Sequence, residues 1–175
     1  GGRAQSGLTA AAGPRKLSEI EESGESRLRV PIGEFSRVLG GGVVPGSIVL
    51  VGGDPGIGKS TLMLQLALEM AADNTILYVS GEESERQIKM RADRLLEDKP
   101  APEQLFLVTE TNLETIFSHA RAINPYLLVV DSIQTVYIPE VESSAGSVSQ
   151  VRESSSRLRD LAKSSGISVF VIGHV

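Results

Sequence analysis

Eight consecutive residues could bind a phosphate chain. Gly53-Asp54-Pro55-Gly56-Ile57-Gly58-Lys59-Ser60 fits the pattern G-x-x-x-x-G-K-[ST], with an apolar run before it and a helix-forming run from Thr61 to Ala72 after it. In that setting the loop amides and the positive end of the helix converge on a phosphate. Lys59 then reaches the terminal phosphates, and the Ser60 hydroxyl can coordinate Mg²⁺. Residues 53–61, up to and including Thr61, therefore predict a site for ATP and Mg²⁺.

A carboxylate at the end of a later strand completes the predicted metal site. Asp131 closes the apolar run Leu127-Leu128-Val129-Val130. In phosphate-loop enzymes a carboxylate at this position, called Walker B, holds the Mg²⁺ shell. An Asp after a strand can also simply form a turn, so the metal role depends on the phosphate loop upstream. We predict Ser60 and Asp131 as the Mg²⁺ ligands.

Two acidic residues follow another predicted strand. Glu82 and Glu83 come after Tyr78-Val79-Ser80-Gly81, and ligands bind beyond the carboxyl ends of such strands. A carboxylate there can orient and deprotonate an attacking water, although acidic residues also suit the start of the next helix. We predict Glu82 as the catalytic base and Lys59 as a catalytic residue that acts through its charge. Glu83 either caps the helix or shares the role of Glu82.

Other residues have weaker assignments. His174, after the last predicted strand, could sense the γ-phosphate or serve structurally. Arg86 and Arg91, on the helix after Glu83, could face nucleotide or a neighbouring subunit, but a solvated helix face is the simpler expectation. The segment 137–150 is rich in Ser and Gly and predicts a mobile surface loop.

Composition sets limits on the class of protein. The 175 residues are 41% hydrophobic and 22% charged, which is ordinary for a globular domain with a core. The absence of cysteine excludes disulfides and cysteine-ligated zinc within this sequence. A net charge of −5 argues against a broad basic surface for nucleic acid, though not against a local patch or a ring of subunits. No apolar run approaches the roughly 20 residues of a membrane span.

Strands and helices alternate along the chain. Strands are predicted at 47–51, 75–80, 105–108, 126–130 and 167–172, and helices at 32–39, 61–72, 84–97, 112–123 and 147–163. Two of the strands are apolar at every position, as expected when both faces of a sheet are covered. The pattern predicts an α/β fold with a mostly parallel sheet flanked by helices. Residues 1–28 lack apolar periodicity and predict a linker.

The motifs together resemble a known family. The distinctive pieces are Gly52-Gly53-Asp54-Pro55-Gly56-Ile57-Gly58, Ser80-Gly81-Glu82-Glu83-Ser84, Asp131-Ser132-Ile133-Gln134-Thr135 and Ile172-Gly173-His174-Val175. From about Arg29 to Val175 the chain resembles the ATPase domain of the RadA (Sms) family of bacterial DNA repair and recombination proteins, in the RecA/DnaB superfamily. The resemblance implies a RecA-like P-loop NTPase core at 29–175, truncated on its C-terminal side and preceded by the linker.

The same resemblance implies a function. Members are cytoplasmic, DNA-dependent ATPases and helicases or translocases, which form homo-hexamers and use ATP hydrolysis to move on single-stranded DNA and to drive branch migration. Single-stranded or branched DNA and a recombinase are the implied partners, with no membrane. Members also have a four-cysteine zinc finger, a Lys-Asn-Arg-Phe-Gly motif and a Lon-protease-like domain. We therefore expect the chain to be a piece of a longer protein, with zinc only in the part before it.

Three alternatives remain open from the residues alone. A KaiC-like regulatory RecA-fold ATPase, which does not act on DNA, would share the Glu82–Glu83 pair. A small-molecule kinase would need an acceptor pocket and a lid, and no arginine-rich lid segment occurs before Val175. A non-catalytic nucleotide-binding module would retain the phosphate loop without turnover.

Overall fold

A computed structural model describes residues 13–20, 45–52 and 57–173. The strands are β1 (Arg15–Lys16), β2 (Ile48–Val51), β3 (Ile76–Ser80), β4 (Leu105–Thr109), β5 (Leu127–Asp131) and β6 (Ser168–Ile172), and the helices are α1 (Ile57–Met70), α2 (Glu85–Leu96), α3 (Leu113–Ile123) and α4 (Val148–Ser165). The predicted alternation is confirmed, with shifts of a few residues at the ends. The predicted helix at 32–39 lies outside the described residues.

The described strands form one sheet in the order β1-β4-β3-β5-β6-β2. Strands β2 to β6 run parallel, and β1 pairs antiparallel with β4. Every residue of β3, β5 and β6 is buried, because helices cover both faces of the sheet. The predicted fold class, a mostly parallel sheet flanked by helices, is confirmed.

The two faces of the sheet have separate hydrophobic cores. Met63 of α1 and Ile88 of α2 share one core with Tyr78, whereas Ile116 of α3 and Leu158 of α4 share the other. The chain crosses the sheet one way from β2 through β3 to β4 and then returns through β5 to β6, so right-handed crossovers place the later helices on the opposite face. Ligands bind where such a reversal occurs, beyond the carboxyl ends of the strands. None of the described helices is long and apolar enough to cross a membrane.

Residues 13–20 belong to the folded domain, although the sequence predicted a linker over 1–28. Arg15 and Lys16 pair with β4, and Leu17 and Ile20 lie in the core with 1% and 5% of their surfaces exposed. The Arg15 guanidinium also donates to the carboxylate of Glu85 at 2.7 Å. The prediction was wrong here because two strand residues and one helical turn are too short to show a period. The remainder of the predicted linker lies outside the described residues.

Candidate functional site

The described site residues come together at the carboxyl edge of the sheet. Ser80 and Asp131 end neighbouring strands in register, and Asp131 also pairs in register with Ile172 of β6. Lys59 and Ser60 lie in the first turn of α1, which follows β2. Residues 53–56 and His174 lie outside the described residues.

The first turn of α1 is bonded to two strand ends. Lys59 Nζ donates to the carbonyl oxygen of Gly173 at 2.8 Å, just after β6. Ser60 Oγ donates to Asp131 Oδ2 at 2.6 Å, at the end of β5. Two adjacent side chains of one helix therefore meet groups 114 and 71 positions away in the chain.

Asp131 accepts a second hydroxyl donor. Its carboxylate is only 9% exposed, and the Tyr78 phenol donates to the same oxygen at 3.4 Å. Burial raises the pKa of Tyr78 far above its usual range, and the charge of Asp131 adds to the rise while Arg91 opposes it. Tyr78 therefore stays protonated and remains a donor at all ordinary pH values.

The Ser60–Asp131 pair fits a magnesium ion. A carboxylate and a hydroxyl 2.6 Å apart are hard oxygen donors, and Mg²⁺ is usually held by one or two carboxylates together with substrate phosphates and water. In the described part of the chain, no group of three or more His, Cys, Asp or Glu side chains could hold a metal by itself. The arrangement therefore suits a metal shared with a phosphorylated ligand.

A buried cation, Arg91, joins two parts of the site. It is 8% exposed; one terminal nitrogen donates to the Glu83 carboxylate and the other to Thr61 Oγ1 at 3.2 Å. Burial raises the pKa of Glu83, and Arg91 opposes that rise. The expectation of a solvated Arg91 was wrong, and the sequence held a signal for its burial. Arg91 follows the buried Ile88 by three positions, on the apolar stripe of α2.

The segment 81–83 is fixed at both ends. The Gly81 N–H donates to the Asp131 carbonyl at 2.8 Å, and the Glu83 N–H donates to Ser80 Oγ at 3.0 Å. A Cβ at Gly81 would lie 2.0 Å from Thr135 Oγ1, so only glycine fits. The segment thus holds β3 against the turn that follows β5.

The two glutamates of this segment differ in environment. Glu83 is paired with Arg91, whereas Glu82 is exposed. The side chain of Glu82 makes no hydrogen bond to the residues that the structure describes. The helix cap is Ser84, which forms a reciprocal capping box with Gln87. Glu82 is therefore the carboxylate that faces solvent beside the site.

The segment 137–147, within the predicted surface loop at 137–150, is hydrogen-bonded to the first turn of α4. Gln150 is 1% exposed, and its amide nitrogen donates to the carbonyls of Ile138, Val141 and Ser143 at 3.1, 3.0 and 2.9 Å. Its amide oxygen accepts from the Ile138 N–H at 2.9 Å. Because Gln150 lies in the first turn of α4, it ties this segment to the helix.

Fold and site together define a RecA-like P-loop ATPase domain. A family profile described as an AAA domain matches residues 14–175, and the chain belongs to that family.

Curated relatives that match the chain include DNA repair proteins. The DNA repair protein RadA of Bacillus subtilis is 52% identical over 163 residues, which are 93% of this chain and 35% of that protein. RadA of Streptococcus pneumoniae is 49% identical over 162 residues, or 93% of this chain and 38% of that protein. The chain thus spans little more than a third of the length of these relatives.

A solved structure shows the same fold at greater distance. The crystal structure of a KaiC-like protein from the archaeon Pyrococcus horikoshii superposes with a TM-score of 0.62 at 22% identity, covering 86% of this chain and 72% of that one. At that identity the likeness concerns the fold alone.

Proposed function

We propose that this chain is the ATP-hydrolysing domain of a DNA repair motor similar to the RadA proteins. The observation that supports this most directly is the contact between Ser60 and Asp131, with Lys59 beside it at the head of α1. A hydroxyl and a cation from α1 thereby lie at the same edge of the sheet as a carboxylate from β5, which supports a site for a Mg²⁺-bound triphosphate. If these groups had only a structural role, the hydroxyl, the carboxylate and the cation would not all need to lie at the same edge of the sheet.

Each predicted residue has a role in this proposal. Residues 53–61 cradle the phosphates through backbone amides, and Lys59 neutralises their charge. Ser60 and Asp131 hold Mg²⁺, which when bound withdraws electron density from the phosphate oxygens. Glu82 accepts a proton from the attacking water. His174 contacts the γ-phosphate as a sensor.

Nucleotide binding would exchange existing bonds for new ones. Lys59 Nζ bonds the Gly173 carbonyl directly after β6, so a phosphate that attracts Lys59 competes with this contact. Because Gly173 directly precedes His174 in the chain, a change at Gly173 would couple the ligand to the proposed sensor. We expect the backbone at Gly173 to respond to ATP for this reason.

The proposal extends to the whole assembly by similarity. We infer a cytoplasmic homo-hexamer, in which a neighbouring subunit completes each ATP site, and which acts on single-stranded and branched DNA and works with a recombinase. Segment 137–147 contains Glu140 and Glu142 but neither Lys nor Arg. Arg152, which is exposed on α4, follows this segment in the chain and could contact a phosphate.

Calorimetry and turnover assays test the proposal. The purified full-length protein should bind ATP in millimolar Mg²⁺, and single-stranded DNA should increase its rate of hydrolysis. Folded protein without any heat of binding would contradict the nucleotide site. Hydrolysis that DNA leaves unchanged would favour a regulatory KaiC-like ATPase instead, and binding without hydrolysis would favour a non-catalytic module.

A further inference from the structure

The interior beside the site contains one group for which the proposed mechanism gives no role. Arg91 is almost fully buried on α2, and burying a cation is unfavourable unless partners compensate. Its partners are Glu83, next to the proposed base, and Thr61, next to the proposed Mg²⁺ ligand Ser60.

The guanidinium divides its donors between these partners. One terminal nitrogen bonds each of them, and Nε has no partner among the described residues. Arg91 also lines a cavity of about 10 Å³ with Thr61, Arg94 and Leu95. A planar fork can span two acceptors in this way, whereas a lysine ammonium is a single point of charge. Arg91 therefore forms a bridge between two segments, residues 81–83 and the N-terminal part of α1, and not only an ion pair with Glu83.

The charges around Glu83 make its contact with Arg91 important. Glu83 is close enough to Asp131 and Glu82 for both of their charges to disfavour its ionised form, and Arg91 is the cation that opposes them. Without Arg91, the segment 81–83 would lose the side chain that ties Glu83 to Thr61 of α1. Glu82 belongs to that segment, so its position would change as well.

We propose that Arg91 is a positioning residue, which holds the segment 81–83 against the head of α1 and so keeps Glu82 in place relative to Ser60 and Lys59. This inference rests on the proposed ATP hydrolysis and extends it. Arg91 acts through Glu83 and Thr61, not on the nucleotide. Its loss should therefore slow turnover much more than it weakens binding.

The test compares Arg91→Met, Arg91→Lys, Glu83→Gln and the Arg91→Met/Glu83→Gln double variant in the full-length protein. Lys89→Met is the matched control, because Lys89 lies on the same helix and forms its own part-buried ion pair, with Asp93. Thermal unfolding establishes that each variant is folded, titration with a fluorescent ATP analogue gives Kd, and steady-state assays give kcat.

We expect Arg91→Met to lower kcat by about 100-fold, the scale of a small misplacement of a catalytic group, with Kd changed less than about threefold. Arg91→Lys should recover only part of kcat, since it cannot span both partners. Glu83→Gln should lower kcat as well, and the double variant should be no slower than the slower single variant, since both changes break one contact. Lys89→Met should match the wild type.

Several results would overturn the inference. These are a kcat for Arg91→Met equal to that of Lys89→Met, a loss confined to Kd, full activity in Arg91→Lys, or losses that multiply in the double variant. If Arg91→Met does not fold, Arg91→Lys and Glu83→Gln decide the question. Absence of hydrolysis in the folded wild type would instead contradict the proposed function, together with the inference that rests on it.

Discussion

The hydroxyl of Ser60 donates to the carboxylate of Asp131 at 2.6 Å, across 71 positions of the chain. One residue lies in the first turn of a helix on one face of the sheet, and the other ends a strand at its centre. Their contact brings two oxygen atoms side by side at the carboxyl edge of the sheet. This geometry allows a test of the proposal that Ser60 and Asp131 are Mg²⁺ ligands.

Asp131→Asn should remove most of the benefit that Mg²⁺ gives to ATP binding. The amide still accepts from Ser60 but lacks the negative charge that a hard cation requires. We expect the affinity for ATP in Mg²⁺ to fall about 10- to 100-fold. Calorimetry with Mg²⁺ and with EDTA measures this, and the two conditions should give nearly equal affinities for the variant. A variant that still gains affinity from Mg²⁺ as the wild type does would contradict the assignment.

Lys59→Ala and Glu82→Gln should separate binding from turnover. Losing the Lys59 charge should weaken ATP binding by about 10- to 100-fold, as for a charged hydrogen bond. Glu82→Gln should spare binding and lower kcat by about 10²- to 10⁴-fold, the usual contribution of a general base. Kd and kcat are measured on both variants. Equal residual hydrolysis in the two would count against these roles.

Gly81→Ala should destabilise the fold through a steric clash. The new methyl group would lie 2.0 Å from Thr135 Oγ1. That oxygen is held in place, because it accepts from the Ser132 N–H at 3.1 Å and donates to the Ser132 carbonyl at 2.9 Å. We expect a loss of about 1–3 kcal/mol in the free energy of unfolding, the scale of overpacking.

A second glycine provides the control for that measurement. A Cβ at Gly58 meets no atom of the described residues within 4 Å, so Gly58→Ala in α1 should gain about 0.5–1 kcal/mol. Urea denaturation of both variants gives the comparison. Equal stabilities would show that Thr135 yields to the extra methyl group.

Gln150→Ala should release the segment 137–147. The change removes the side-chain donor to three carbonyl groups and leaves the buried Ile138 N–H without its acceptor, while the Ile138 carbonyl keeps the Val141 N–H as a donor. We expect about 2–4 kcal/mol of destabilisation, with faster amide exchange at Ile138. Arg159→Ala, at an exposed position of the same helix, should stay within about 0.5 kcal/mol of the wild type. Unchanged exchange at Ile138 would mean that the anchoring comes from elsewhere.

The environment of Glu83 predicts a pH dependence of stability. Burial raises its pKa above the ordinary value of 4.5, with Asp131 and Glu82 adding to the rise and Arg91 opposing it. A carboxyl group with a raised folded-state pKa contributes stability that is fully present below the unfolded value and is lost as pH rises through the folded value. Relative to Glu83→Gln, the wild type should therefore lose free energy of unfolding as pH rises from below 4.5 through the raised folded-state pKa of Glu83.

Denaturant unfolding at several pH values measures this difference. The exposed Glu69→Gln variant is the control, because it makes the same substitution at a surface position of α1. A wild type that gained stability over Glu83→Gln across the same range would show that Arg91 outweighs burial at this site.

Much of the fold could be predicted from the sequence because its signals are local. The apolar run that ends at Asp131 predicts its strand from neighbouring residues alone. Asn112 likewise marks the start of its helix, because its side chain accepts from the Glu114 N–H. The short strand at Arg15–Lys16 could not be predicted, since only the open edge of β4 makes it a strand. Its pairing comes from tertiary contact, not from propensity.

The sequence by itself determined the alternation of strands and helices and the residue types of the phosphate loop, because periodicity and motif spacing depend on neighbours in the chain. Only the tertiary structure decided which side chains meet. It paired Glu83 with Arg91 and left Glu82 exposed, although the two glutamates are adjacent and chemically identical. The physical reason is that burial and charge partners come from other elements, here α2 and the end of β5, whose approach no local pattern encodes.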